Sequence, residues 1–250
     1  SNKIKMSGVN SINWARIIAQ SVYYFYSYNL IEDNKEPINF SVPTGNFGDV
    51  YAGYLAKKIG LPINKFIVAT NQNDILHRAI STGTYDVEKV AETISPSMDI
   101  QLASNFERLI YDLNNHDDEK TTKAMKDIKE NGKYLISEEN LNKINNHFLS
   151  SSMNENEVLN IIKKVHAEFN MILDPHTAIG YGAFDKVKVE GNNIVLATAH
   201  PCKFPDAVEK AINIKSELPN ELSFILEEKE KYDIVENNLD KIKNHIKERI

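Results

Sequence analysis

Residues 41–49 read Ser-Val-Pro-Thr-Gly-Asn-Phe-Gly-Asp, and these residue types at this spacing could bind an anion. An apolar β-type run breaks at Pro43, two glycines follow, and a helical pattern begins after them. Unpaired N–H groups and the positive dipole end of a helix favour a phosphate, and glycine lets it approach the backbone. The stretch fits neither a P-loop nor a dinucleotide turn, so a plain strand-to-helix turn stays open.

Several further motifs accompany this loop along the chain. Residues 9–17 read Val-Asn-Ser-Ile-Asn-Trp-Ala-Arg-Ile, and residues 197–204 read Ala-Thr-Ala-His-Pro-Cys-Lys-Phe. Between them lie Val-Ala-Thr-Asn-Gln-Asn-Asp at 68–74, Ser-Pro-Ser-Met-Asp-Ile at 95–100 and Ser-Asn-Phe-Glu-Arg at 104–108. In this order the motifs resemble the C-terminal part of the threonine synthase family, which consists of fold-type-II enzymes dependent on pyridoxal 5′-phosphate (PLP).

The resemblance implies an α/β fold, with an open, mostly parallel sheet, helices on both faces and a helical insertion. It also implies that Gly45, Asn46, Phe47 and Gly48 bind the cofactor phosphate, and it places Asp49 at the cofactor. Because a carboxylate repels a phosphate, we expect the Asp49 side chain to turn away or to accept a hydrogen bond from a neighbouring amide.

Thr198 follows a buried-type apolar run at 194–197, and open α/β sheets place ligands at the carboxyl ends of strands. The resemblance implies that the Thr198 hydroxyl is a neutral partner for the pyridine nitrogen of PLP. Without the resemblance, a threonine after a strand would be an ordinary turn residue.

The reaction that the resemblance implies converts O-phospho-L-homoserine and water to L-threonine and phosphate, with PLP as the electron sink. The substrate brings a second phosphate, for which the candidate ligands are Asn13, Arg16, His200 and Lys203. Arginine suits bidentate anion recognition, and protonated histidine and lysine are charge-assisted donors. An internal ion pair for Arg16, a structural turn for His200 and a surface position for Lys203 are the alternatives. We interpret the neighbouring Cys202 as structural.

The chain begins at Ser1, whereas the resemblance implies a preceding N-terminal domain that carries the Schiff-base lysine. We therefore expect no catalytic residue within this sequence, an inactive isolated chain, and the missing domain as its partner. Two alternatives are a non-catalytic fragment that binds PLP or phosphate and another fold-type-II lyase such as a serine or threonine dehydratase. A dehydratase should not combine Ser-Ile-Asn-Trp-Ala-Arg with Thr-Ala-His-Pro.

The elements that position the loop are two β-type runs, at 38–42 and 65–69, joined by a helix over 49–59. This order predicts a parallel βαβ unit. An earlier helix is predicted over 10–29, capped by Ser11 or Asn10. Its apolar residues recur at helical spacing: Ile12, Ala15, Ile18, Ala19, Val22, Phe25 and Tyr26.

The rest of the chain divides by composition. We predict an α/β cofactor-binding domain from 1–113 and 171–215, a helical insertion at 114–170 and a charged, helical C-terminal region at 216–250. Helices are predicted over 73–81, 117–131, 137–150, 154–169, 175–186 and 205–212, with a joint at Ser150-Ser151-Ser152. Asp174 or Thr177 is the expected cap of the helix that starts near 175.

The composition excludes several classes of function. The formal net charge of −6 argues against a nucleic-acid-binding protein. No apolar run reaches the ~20 residues of a membrane span, and no signal peptide is evident. One cysteine allows no internal disulfide, and the seven histidines show no metal-ligand spacing. We expect a cytoplasmic protein that binds no metal.

Overall fold

The computed structural model describes residues 8, 10–31 and 36–249, which form two units divided after residue 216. In chain order the elements of the first unit are α1 (Trp14–Asn29), β1 (Ile38–Pro43), α2 (Gly48–Lys58), β2 (Ile63–Thr70), α3 (Ile75–Thr82), β3 (Thr84–Asp86), α4 (Phe106–Leu113), α5 (Asp118–Asn131), β4 (Lys133–Leu135), α6 (Glu138–His147), β5 (Phe148–Ser152), α7 (Glu155–Phe169), α8 (Pro175–Val187), β6 (Asn192–Val195) and α9 (Pro205–Ile212). The second unit contains a 3₁₀ helix (Asn220–Leu226) and α10 (Leu239–Lys247).

The main sheet has the strand order β5-β2-β1-β6, and every neighbouring pair is parallel. Because β1, α2 and β2 follow one another in the chain, they form the predicted βαβ unit. In the register between β1 and β6, Ser41 lies beside Val195. The carboxyl ends of β1, a central strand, and of its neighbour β6, an edge strand, therefore meet at the carboxyl edge of the sheet.

Helices cover both faces of the sheet, as predicted for this fold class. Phe66 and Val68 of β2 face a core shared with α1, α2 and α4. Ile67 and Ala69, which alternate with them, face a second core formed with α7 and α8. Successive residues of a strand point to opposite faces, and both faces of β2 are buried, so residues 66–69 are all apolar.

The first helix differs from the prediction. It begins at Trp14 rather than near residue 10, and its N-cap is Asn13, not Ser11 or Asn10. The side chains that it buries are Ile17, Ser21 and Tyr24. Six of the seven predicted apolar positions are instead exposed, namely Ile12, Ala15, Ile18, Ala19, Val22 and Tyr26. Apolar residues surround almost the whole helix, so their spacing did not identify the buried face.

The predicted joint at Ser150-Ser151-Ser152 is wrong, since these residues form the end of β5. β5 pairs with β2, so the segment 114–170 contributes an edge strand to the main sheet rather than helices alone. Three serines are poor indicators of a strand, because strand propensity depends mainly on packing against neighbouring strands. The short antiparallel pair of β3 and β4 was not predicted either.

The other predicted helices of the first unit are present. α3 ends at Gly83, which has a φ of 75°, and α7 begins with a capping box formed by Asn154 and Glu157. Asp174 is the N-cap of α8. Within the described ranges, none of the helices is both long enough and apolar enough to span a membrane.

The second unit is mostly irregular around α10. Asn238 caps α10 by accepting hydrogen bonds from Asp240 and Lys241 N–H groups. Arg249, near the end of this unit, forms an ion pair of 2.7 Å with Asp233. The charged C-terminal region therefore contains one regular helix over Leu239–Lys247, less helix than its sequence pattern predicted.

Candidate functional site

The loop between β1 and α2 presents a row of free backbone donors. Thr44 N–H is the last to join the sheet, donating to the Ala69 carbonyl over 2.7 Å. Phe47 then takes the left-handed conformation, with a φ of 63°, and its side chain does not cap α2. Among the described residues, none accepts a hydrogen bond from the N–H groups of residues 45–49. Such consecutive free amides at a helix N-terminus form a concave anion site.

The two glycines of the loop differ in how closely neighbouring atoms approach them. A Cβ on Gly45 would lie 2.7 Å from the carbonyl oxygen of Ser97, a contact that the backbone cannot relieve by a small shift. A Cβ on Gly48 would lie 3.3 Å from the Asn105 side chain, which is tight but closer to tolerable. The shape of the loop therefore depends most strongly on Gly45.

The turn beneath Gly45 is held by a buried polar network around Asp99. Its carboxylate accepts hydrogen bonds from the side chains of Asn71 (2.7 Å), Asn73 (2.9 Å) and Thr93 (2.7 Å). Asn71 also donates to the Ser95 hydroxyl over 2.9 Å. These contacts fix the turn whose Ser97 carbonyl packs against Gly45.

Asn105 supports the loop from its other side. This fully buried residue donates its backbone N–H to the Asn46 carbonyl over 3.1 Å, and its side-chain amide to the Asn46 and Ser11 carbonyls over 3.2 and 3.0 Å. Its Oδ1 accepts from Arg108 Nε over 2.9 Å. Asn46 O is thereby occupied, which leaves the N–H side of the loop as the side available to a ligand.

Asp49 turns away from the free amides toward α1. Its carboxylate accepts hydrogen bonds from the hydroxyls of Tyr23 and Tyr24, the second at 3.1 Å. Burial raises the pKa of Asp49 above its ordinary range, and the two hydroxyl donors act against that shift. The side chain is turned away as expected, but its partners are tyrosine hydroxyls and not a backbone amide.

In the ladder between β1 and β6 the last pair is Ser41 and Val195, and Thr44 and Thr198 each lie three residues beyond it. The last ladder bond joins Leu196 N–H to the Ser41 carbonyl over 3.0 Å. Thr198 is exposed, and its N–H donates to the Thr177 hydroxyl of α8 over 3.1 Å. The structure therefore brings Thr198 and the loop together at the ends of adjacent strands.

The four predicted substrate ligands differ in their local settings. Asn13 caps α1, accepting from Ala15 N–H over 2.9 Å. Arg16 is exposed on the same helix, near enough to Tyr23 to act on its pKa. His200 is exposed, and its Nδ1 accepts from the Cys202 N–H over 3.2 Å. Lys203 is exposed at the end of a 3₁₀ turn, Pro201–Lys203, which His200 caps.

A large cavity of the first unit lies elsewhere. It encloses about 1370 Å³ between α2, α4 and α5, and Trp14, Tyr51 and Tyr111 are among the residues that line it. Neither residues 44–49 nor Thr198 borders it. In the described residues no three His, Cys, Asp or Glu side chains gather as a metal site would require. The candidate site is thus defined by the free N–H groups of residues 45–49 and by the ends of β1 and β6, and not by a cavity.

Comparison with known proteins identifies relatives of this chain in sequence and in fold. A family model described as "Threonine synthase, C-terminal" matches residues 177–246. The threonine synthase of Pseudomonas aeruginosa is 41% identical over 241 residues, which cover 95% of this chain and 51% of that protein. The crystal structure of PLP-bound threonine synthase from Brucella melitensis superposes with a TM-score of 0.92 at 43% identity, covering 97% of this chain and 52% of the other. The chain belongs to the threonine synthase family.

A second solved threonine synthase, from yeast, superposes with a TM-score of 0.87 at 40% identity, over 96% of this chain and 53% of its own. The chain therefore spans about half the length of the threonine synthases it matches. The fold is that of the fold-type-II enzymes, as predicted. These relatives belong to the family that the motifs resemble and not to a dehydratase family.

Sequence reasoning missed several residues that shape this site. Asn105 lies in the Ser-Asn-Phe-Glu-Arg motif, which carried the resemblance but gave no role to this side chain. Tyr23 and Tyr24 were not connected with Asp49, because partners 25 and 26 residues away cannot be paired from spacing. Thr177 was considered only as a helix cap, whereas its hydroxyl reaches Thr198.

Proposed function

We propose that this chain provides the phosphate-binding and ring-contacting wall of a PLP-dependent threonine synthase, which converts O-phospho-L-homoserine and water to L-threonine and phosphate. The observation that carries the proposal is the row of free amides at residues 45–49 beside Thr198. Family membership supports the assignment of the ligand. The donor set fits PLP, because an uncapped helix start suits a phosphate dianion and a hydroxyl suits a neutral ring nitrogen.

In this proposal the N–H groups of Gly45, Asn46, Phe47, Gly48 and Asp49 hold the cofactor phosphate. The left-handed Phe47 turns successive amides toward one point, and its buried ring anchors that turn in the core. Asp49 contributes only its backbone N–H, since its carboxylate accepts hydrogen bonds from the tyrosine hydroxyls. The loop therefore binds the anion without a lysine or arginine side chain.

PLP, when bound, supplies the electron sink for removing protons from the substrate and releasing its phosphate. Thr198 orients the ring by a hydrogen bond to its nitrogen. A threonine hydroxyl does not enforce a protonated ring as a carboxylate would. The exposed position of Thr198 at the sheet edge leaves its side chain accessible to a ring whose phosphate lies at the loop.

The substrate phosphate needs a second anion site, for which we propose Arg16, His200 and Lys203, with Asn13 nearby. Because His200 Nδ1 accepts a hydrogen bond, the neutral ring carries its proton on Nε2, which can donate to an anion. Arg16 and Lys203 are exposed cations on the first and last family motifs. Their role would be to bind the leaving phosphate and to balance its charge.

We infer that the Schiff-base lysine belongs to the half of the family's length that this chain does not match. No lysine of the described ranges hydrogen-bonds to residues 44–49 or to Thr198. The 250-residue chain with added PLP should therefore release no phosphate from O-phosphohomoserine, and borohydride reduction should leave no PLP bound covalently. The partner needed for activity would be the N-terminal half of a threonine synthase.

The deciding experiment compares PLP with pyridoxal, which has the same ring but no phosphate. Isothermal titration of the purified chain should show reversible PLP binding, and binding of pyridoxal at least about tenfold weaker, since charge-assisted bonds are lost. Equal affinity for both ligands, or no PLP binding at all, would count against the site. Turnover by the chain alone would instead show that one of its own lysines is catalytic.

A further inference from the structure

The N-terminus of α8 contains a carboxylate whose hydrogen bonds are all made. The Asp174 side chain is fully buried. It accepts from the backbone N–H groups of His176 (2.9 Å) and Thr177 (3.3 Å), from His176 Nδ1 (2.9 Å) and from the Thr177 hydroxyl. Burial alone would raise the pKa of Asp174, but these donors outweigh it and lower the pKa. Asp174 is therefore ionised at neutral pH and acts only as an acceptor.

This fixes the direction of the next hydrogen bond. A hydroxyl has one proton, and that of Thr177 is donated to Asp174. Its lone pairs are thus free to accept the N–H of Thr198, 3.1 Å away. Since the strand ladder ends at Leu196, Thr177 is the residue that holds the Thr198 backbone beyond the sheet.

The same helix is attached to the strand that carries the phosphate loop. The Gly180 carbonyl accepts the hydroxyl of Ser41 over 2.6 Å, and a Cβ at Gly180 would lie 2.9 Å from the ring of Pro43. One turn of α8 therefore separates the contact with Thr198 from the contact with β1. The helix sets the position of Thr198 relative to the end of β1.

We propose that Asp174 and Thr177 form a hydrogen-bond relay that positions Thr198 for its contact with the pyridine ring. This inference rests on the proposed function, because the ring contact belongs to it. Both are positioning residues, since they act through the backbone of Thr198. The relay assigns a role to the Asp-Pro-His-Thr motif, which the phosphate loop and the substrate ligands do not use.

Thr177→Val tests the relay, because it keeps the shape of the side chain and removes the hydroxyl. Thr177→Ser is the matched control, and Thr177→Ala replaces the valine variant if that fails to fold. Hydrogen exchange of the free chain, followed by mass spectrometry, should show faster exchange in the peptide that contains Thr198 for the valine variant only. The peptide spanning residues 44–50 should be unchanged.

Ligand affinity separates positioning from a general loss of structure. For Thr177→Val the Kd for PLP should rise between about threefold and tenfold, as for one lost hydrogen bond. The Kd for inorganic phosphate should stay within about twofold, and Thr177→Ser should match the unsubstituted chain for both ligands. Unchanged exchange at Thr198, or equal losses for PLP and phosphate, would overturn the relay. If the unsubstituted chain binds no PLP, the proposed function fails, and the exchange experiment still decides whether Thr177 holds Thr198.

Discussion

Two helix N-termini meet at the carboxyl edge of this sheet, and they are built in opposite ways. α2 begins with a left-handed Phe47 and without a side-chain cap, so its amides stay free. α8 begins with Asp174, whose buried carboxylate takes up the amides of the first turn. An unoccupied helix start attracts anions, and a capped one does not. This difference supports the proposals that the start of α2 binds the ligand and that α8 supports the strand ends.

The largest effect should follow from removing the cap of α8. Asp174→Ala leaves the first-turn amides and the Thr177 hydroxyl without their buried acceptor, which should cost about 2 to 4 kcal/mol of unfolding free energy. Inorganic phosphate binding at 25 °C should survive in the folded fraction. Urea denaturation with a parallel phosphate titration measures both. A stable variant that loses phosphate binding would reverse the roles assigned to the two helices.

The contribution of Asp174 to stability should also depend on pH. Because the folded-state pKa of Asp174 lies below its unfolded value of about 3.9, its contribution is complete above that value. It is lost as the pH falls through the folded-state pKa. The difference in unfolding free energy between the unsubstituted chain and Asp174→Asn should therefore shrink below about pH 4. A difference that stays constant to pH 2 would show that Asp174 is not the group responsible.

At the α2 end, Gly45→Ala should distort the loop, because the new Cβ would meet the Ser97 carbonyl at 2.7 Å. Overpacking of this kind costs about 1 to 3 kcal/mol, which corresponds to roughly 5- to 150-fold in phosphate affinity if the loop absorbs the strain. Gly48→Ala is the graded control, with a nearest contact of 3.3 Å. Equal affinities of the two variants for phosphate would argue that Gly45 does not shape an anion site.

Asp49→Asn should have a smaller effect of opposite sign. It removes a negative charge from the first turn of α2 and keeps an oxygen for Tyr23 and Tyr24, so sulfate should bind about three to ten times more tightly at neutral pH. Sulfate does not titrate in this range. For the unsubstituted chain, sulfate binding should strengthen as the pH falls toward the raised pKa of Asp49. The asparagine variant should lack that part of the pH dependence.

The smallest effect should come from the third helix start, that of α1. Asn13→Ala removes a cap near the surface and should cost about 0.5 to 1 kcal/mol of unfolding free energy. Sulfate and PLP affinities should not change. If binding of O-phosphohomoserine to the reconstituted enzyme weakens while stability is unaffected, Asn13 acts as a substrate ligand and not as a cap.

The sequence alone was sufficient to predict the elements around the start of α2. The apolar run before Pro43, the two glycines and the helical pattern after them are local signals, and β1, α2 and β2 formed as predicted. The direction of the Asp49 side chain was also expected, from charge repulsion alone. The left-handed conformation of Phe47 was not, because a non-glycine residue gives no sequence signal for a positive φ.

The contact between the start of α8 and Thr198 could not be predicted, because it joins residues far apart in the chain. Asp174 was recognised as a cap, but the partner of Thr177 lies 21 residues further along the chain. β5 was missed for a similar reason, since its serines become strand residues by pairing with β2. The buried face of α1 was misjudged because Tyr24 and Ile17, rather than the more regular Ile18 and Val22, face the core.

The central claim is that the free amides after β1 hold the phosphate of PLP, and an amide-resolved NMR titration tests it most directly. With PLP added to the ¹⁵N-labelled chain, the largest saturable shifts should occur at Gly45 to Asp49, followed by Thr198. Sulfate should shift the loop amides but leave Thr198 unmoved. The first turn of α8, including His176, should respond weakly to both ligands. Loop amides that do not move under saturating PLP, or a response centred on the α8 N-terminus, would contradict the account.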